Sequence, residues 1–71
     1  MMVEEADRLT ERQREVLQLL AEGKVIKEIG YTLNLATRTV LFHKYRIKDM
    51  LGAKSDAELV RYAVRNHIVA A

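Results

Sequence analysis

The 71-residue chain has no cysteine, no proline and no tryptophan, and only three glycines. Without cysteine there is no disulfide framework and no thiolate metal site, a composition that fits a reducing cytoplasm. Without proline, and with little glycine, helices are permitted almost everywhere. No apolar run approaches the roughly 18 residues that would cross a membrane. The opening MMVEEADR is acidic where a secretory signal would be basic. No nucleophile–base pair, phosphate-binding loop or metal-ligand spacing is present, so an enzyme is the weakest reading and no cofactor or metal is expected. A chain of this length is one domain. Domains this small bury only about 60% of their unfolded-chain surface, so a second copy or a nucleic acid would be a natural stabilising partner.

What the chain does have is an uneven distribution of charge. Its net charge is only +2. Met1 to Ala36 carries seven acids against five bases, whereas Thr37 to Lys54 carries Arg38, Lys44, Arg46, Lys48 and Lys54 against Asp49 alone. The remainder is neutral, with Asp56 and Glu58 facing Arg61 and Arg65. Concentrating cations on one segment is what an element facing a polyanion requires.

The apolar pattern predicts an all-α, four-helix domain after a flexible lead-in over residues 1–8, with the domain itself over 9–71. Thr10, with Gln13 three residues on, is a capping box that opens the first helix. Val16, Leu17, Leu20 and Ala21 form its buried stripe, and Gly23 suits the left-handed position that ends it. A second helix over Ile26–Leu33 buries Ile26, Ile29, Gly30 and Leu33, and the bare Gly30 permits another helix to come close. Asn34 tolerates a left-handed turn, and Leu35 tucks inward. The third helix, Thr37 to about Leu51, is about 22 Å long and stops at Gly52. Val40, Ile47, Met50 and Leu51 face its core side, while Arg38, Leu41, Phe42 and Tyr45 fall on another face. Ser55–Glu58 reads as a second capping box. It opens a fourth helix to about Arg65, with Leu59, Tyr62 and Ala63 on one side and Ala57, Val60 and Val64 on another.

The second and third helices, joined by a tight break, match what a DNA reader needs. One helix must enter the major groove, anchored by a hydrophobic face and flanked by phosphate donors. Arg38 can reach a guanine edge or a phosphate. Leu41 and Phe42 can lie against thymine methyls, and Tyr45 offers a ring and a hydroxyl. Lys44, Arg46, Lys48 and Lys54 are placed to meet phosphates, and the free amides near Thr37 add an anion site.

The phrases LTERQREVLQLLAEG, KEIGYTLNL and TRTVLFHKYRIKDMLGAKSDAELVRYAV occur in order with family-like gaps over Leu9 to about Val64. They resemble the LuxR/FixJ-type (GerE-like) helix-turn-helix DNA-binding domain of bacterial transcription regulators, as in NarL-like response regulators. The resemblance implies sequence-specific binding of double-stranded DNA as a cytoplasmic output domain. It also implies dimers formed through the fourth helix, for which Val60, Arg61 and Val64 are the candidates. An attached receiver or sensor domain outside this chain is often present in relatives. Thr39-Val40 and His43 match the family's recognition-helix core, and Leu41, Phe42 and Tyr45 occupy positions that touch bases in relatives. Lys24 and Thr37 complete the candidate DNA interface. Four departures bear on affinity and sequence preference. Val25 and Ala36 stand where the family has hydroxyl caps, each missing cap costing about 0.5–2 kcal/mol; Met50 replaces a common lysine; and Leu41 replaces a frequently polar residue.

Other readings of the same residues stay open. Leu41, Phe42 and Tyr45 could be packing rather than reading, and the cations could be a solvated face. His43, remote from His67 and without cysteine partners, reads as a packing or phosphate-contact residue rather than a catalytic one. The carboxylates Glu15, Glu28, Asp56 and Glu58 are explained by capping and i,i+4 pairing. At the level of function, the alternatives are a helical protein-interaction module and the promoter-reading region of a sigma factor. The AELVRYAV phrase argues against the latter.

Overall fold

The computed structural model describes residues 8–68. The expected lead-in, apart from Arg8, lies outside the described residues, as do the last three residues of the expected domain. Four helices follow in order: α1 (Glu11–Ala21), α2 (Ile26–Leu33), α3 (Thr37–Leu51) and α4 (Asp56–Arg65). The described residues contain no strand, so the all-α four-helix expectation holds.

Helix α1 starts at the expected capping box. Thr10 Oγ1 accepts from the Gln13 amide at 3.0 Å, and Gln13 Oε1 accepts from the Thr10 amide at 2.9 Å. This reciprocal pair allows Gln13 to be buried, since its oxygen has a partner. Leu9, which the helical pattern left at the margin, is buried as well, whereas Leu20 and Ala21 are only partly covered. Gly23 takes φ 90, and the Lys24 amide returns to the Leu19 carbonyl at 3.0 Å. This left-handed stop serves carbonyls that the helix itself cannot.

Helix α2 has no side-chain cap at Val25, which has no oxygen to offer. Glu28 supplies the return arm alone, accepting from the Val25 amide at 3.0 Å. Asn34 adopts φ 57, ψ 48, and the Leu35 amide donates to the Gly30 carbonyl at 2.8 Å. The reason for glycine at position 30 is therefore the turn more than a neighbouring helix. A Cβ there would stand 2.6 Å from the Leu35 carbonyl oxygen, with Val40 Cγ2 of α3 next at 3.6 Å.

The core gathers Leu9, Val16, Leu17, Ile29, Val40, Ile47, Leu59, Tyr62 and Ala63. Helix α1 lies against each of the other three, and α2 also packs on α3. Met50 and Leu51, expected on the core side of α3, pack at its edge. Gly52 ends α3 at φ 67. The second capping box is only half formed. Ser55 Oγ accepts from the Glu58 amide at 3.2 Å, but the Glu58 carboxylate accepts from the Lys54 amide, one residue before the cap. Helix α4 closes on His67, a non-glycine residue at φ 59, with the Ile68 amide on the Ala63 carbonyl at 2.8 Å.

Candidate nucleic-acid interface

Val40 and Ile47 are seven residues apart, two helical turns, and both are fully buried. They fix the inner side of α3 and thereby its outer side. Arg38 is exposed there, Leu41 is half-buried but outside the core cluster, and Phe42 and Tyr45 are each 61% exposed. These four follow the i, i+3, i+4, i+7 spacing of one helical face. The packing alternative for Phe42 and Tyr45 is thus not what the fold adopts.

The cations divide into two groups. The Arg46 guanidinium is exposed and lies 5.9 Å from the centre of the Phe42 ring, within range of an attraction to the ring face. Arg38, Lys24 in the α1–α2 loop and Lys54 in the α3–α4 loop are also exposed. Lys44 and Lys48 are different. Their ammonium groups lie 2.8 and 3.3 Å from the two carboxylate oxygens of Asp56, and their side chains are only 15% and 21% accessible. Both had been expected at phosphates; in this structure they tie α3 to the first residue of α4. The hydrogen bond from Lys44 is the largest cause holding the Asp56 carboxyl below its ordinary value, with Lys48 adding to it against a smaller opposing effect of burial. The position of Asp56 in the first turn of α4 is also favourable to negative charge.

Ala36 precedes α3 without a side-chain oxygen, so no side chain caps its first amides. The Thr39 and Val40 amides both return to the Ala36 carbonyl, at 2.9 and 3.1 Å. Thr37 is exposed and Thr39 half-buried beside this open helix start. His43 sits on the flank of α3, half-buried, with its ring edge-on to Phe42 at 6.0 Å between centroids. Its Nδ1 is buried without a hydrogen-bond partner among the described residues. No cluster of three or more histidines, cysteines or carboxylates among the described residues could hold a metal. No helix there is long and apolar enough to cross a membrane.

On α4, Val60 and Val64 are half-buried yet stand outside the core cluster, and Arg61 is exposed. Leu59, Tyr62 and Ala63 supply the core contact, as their spacing suggested.

Two features escaped sequence reasoning. Tyr31 is 91% exposed on α2 and, with Lys27, borders an open groove of about 550 Å³ beside the α2–α3 turn. The signal was present, because Tyr31 falls off the Ile26–Ile29–Leu33 stripe. Asp56 was read as a cap, and nothing local marks it as the partner of two lysines.

The chain matches a family model described as "Bacterial regulatory proteins, luxR family" over residues 7–63. It is 42% identical over 55 residues to the transcriptional regulatory protein UhpA of Escherichia coli (strain K12), which covers 78% of this chain and 28% of UhpA. It is 39% identical over 66 residues to the transcriptional regulatory protein MctR of Rhizobium johnstonii, covering 93% of this chain and 31% of MctR. It is 43% identical over 61 residues to the transcriptional regulatory protein LiaR of Bacillus subtilis (strain 168), covering 86% of this chain and 29% of LiaR. The chain thus spans under a third of the length of these relatives. No solved structure matches it significantly.

Proposed function

This chain belongs to the luxR family of bacterial regulatory proteins, and from that membership we propose that it is the output domain of a transcription regulator, reading duplex DNA with α3 in the major groove. The observation that carries the reading is the two-sidedness of α3. Val40 and Ile47 anchor it in the core, while Arg38, Phe42, Tyr45 and Arg46 stand in solvent on the opposite side. An anchored helix with a cationic and aromatic outer face is what groove entry demands. The three relatives named above are each described as transcriptional regulatory proteins, and we extend that role to this chain.

In this reading residues 9–71 are the binding domain. Arg38 and Tyr45 meet base edges or the flanking backbone, and Arg46, Lys24 and Lys54 meet phosphates. Val60, Arg61 and Val64 form the seam between two copies related by a two-fold axis, which places two α3 helices on two half-sites. The reading includes an attached receiver or sensor domain as a partner, and places the action in the cytoplasm.

Selection from a random duplex pool with the 71-residue chain tests the reading. We expect enrichment of a half-site repeated with two-fold symmetry, and binding whose log affinity falls with log salt by about 0.9 for each phosphate neutralised. A pool that emerges unenriched, with no duplex retained at low salt, would overturn it.

A further inference from the structure

Between Arg38 and Arg46, which supply donors at its two ends, the outer face of α3 is poor in hydrogen-bonding groups. Leu41 and Phe42 have no polar side-chain atom, and Tyr45 has one at the far end of its ring. The two lysines that could have compensated are held on Asp56 at 2.8 and 3.3 Å. Phe42 is 61% exposed, with the Arg46 guanidinium 5.9 Å from its ring centre and the His43 ring centre 6.0 Å away. It is an apolar projection from the helix. In the major groove the complement to such a surface is the 5-methyl group of thymine, which is read by apolar contact. Adjacent residues of a helix point about 100° apart, so the half-buried Leu41 flanks the exposed Phe42 on this surface.

We propose that α3 selects its half-site chiefly through pyrimidine 5-methyl groups, with thymines facing Leu41 and Phe42. The proposal rests on the DNA-reading assignment above and adds the chemical feature that is read. Arg38 and Arg46 supply charge at the edges of this face, and the methyl contacts supply the choice of sequence. Cytosine acquires the same methyl when methylated at carbon 5, so the face accepts that base better than unmodified cytosine.

The test uses the 71-residue chain and the half-site recovered by selection, prepared with thymidine or with deoxyuridine, which lacks only the methyl. Fluorescence anisotropy should show about fourfold weaker binding for each contacted methyl removed, the factor that follows from burying one apolar carbon. Deoxyuridine outside the half-site should change nothing. Phe42→Ala should bind the thymidine and deoxyuridine duplexes equally at one position, and Leu41→Ala should do so at another. At the same positions 5-methylcytosine should bind more tightly than cytosine. Equal affinity of the wild-type chain for thymidine and deoxyuridine duplexes, or a selected half-site without thymine, overturns the methyl reading and leaves DNA binding intact. Failure to retain any duplex takes down both.

Discussion

Lys44 Nζ lies 2.8 Å from Asp56 Oδ2, joining the middle of α3 to the first residue of α4 across twelve positions of sequence. Lys48, one turn further along α3, reaches the other oxygen of the same carboxylate at 3.3 Å. One acid therefore occupies two of the five cations in the basic segment, and links the proposed reading helix to the helix proposed to carry the dimer seam.

Asp56→Asn removes the charge and keeps the shape. Because the Asp56 side chain is 61% exposed, the loss in stability should be small, about 0.2–1 kcal/mol by urea denaturation, as for other solvent-screened pairs. The released lysines should strengthen DNA binding and steepen its salt dependence, by up to about 0.9 for each lysine that reaches a phosphate. An unchanged slope would show that both lysines are aimed away from the duplex.

The same tie makes a pH prediction. The lysines hold the folded-state Asp56 carboxyl below its ordinary value of 3.8. Its contribution to stability is therefore complete above that value and disappears as the pH falls through the lowered folded-state value. Melting of the wild type and of Asp56→Asn should differ near neutral pH and converge in strong acid. A gap that persists unchanged at about pH 2, well below ordinary carboxylate values, would assign the effect of the substitution to something other than charge.

Gly30→Ala should destabilise the protein although alanine is the better helix former by about 1 kcal/mol. The new Cβ would stand 2.6 Å from the Leu35 carbonyl oxygen, a backbone atom fixed by the turn. Overpacking of this kind costs about 1–3 kcal/mol, and it should displace α3 relative to α2. A denaturation midpoint equal to or above the wild type would contradict the close approach.

Ala36→Ser restores a hydroxyl at a position whose backbone, φ −64 and ψ 148, is already extended as an N-cap requires. A gain of about 0.5–2 kcal/mol in unfolding free energy is expected. No gain would show that the bond from the Thr39 amide to the Ala36 carbonyl already does the work of a cap.

Much of the fold is legible locally. The Thr10–Gln13 box, the left-handed stops at Gly23, Asn34 and Gly52, and the buried Val40 and Ile47 each follow from groups within a turn or two of one another. The outward placement of Phe42 and Tyr45 follows from the same periodicity, once Val40 and Ile47 are assigned to the core. Legibility fails where the partner comes from elsewhere. Leu9 is drawn into the core, and Lys44 and Lys48 meet Asp56 across the α3–α4 loop.

By itself the sequence determined the four helices, their ends and which side of each is apolar, because helical hydrogen bonds and caps act over three or four residues and each side chain's direction follows from the helical repeat. Only the tertiary structure decided which cations stay available to an anion. Helices α3 and α4 both pack on α1, and charges find their partners in the geometry that this packing leaves.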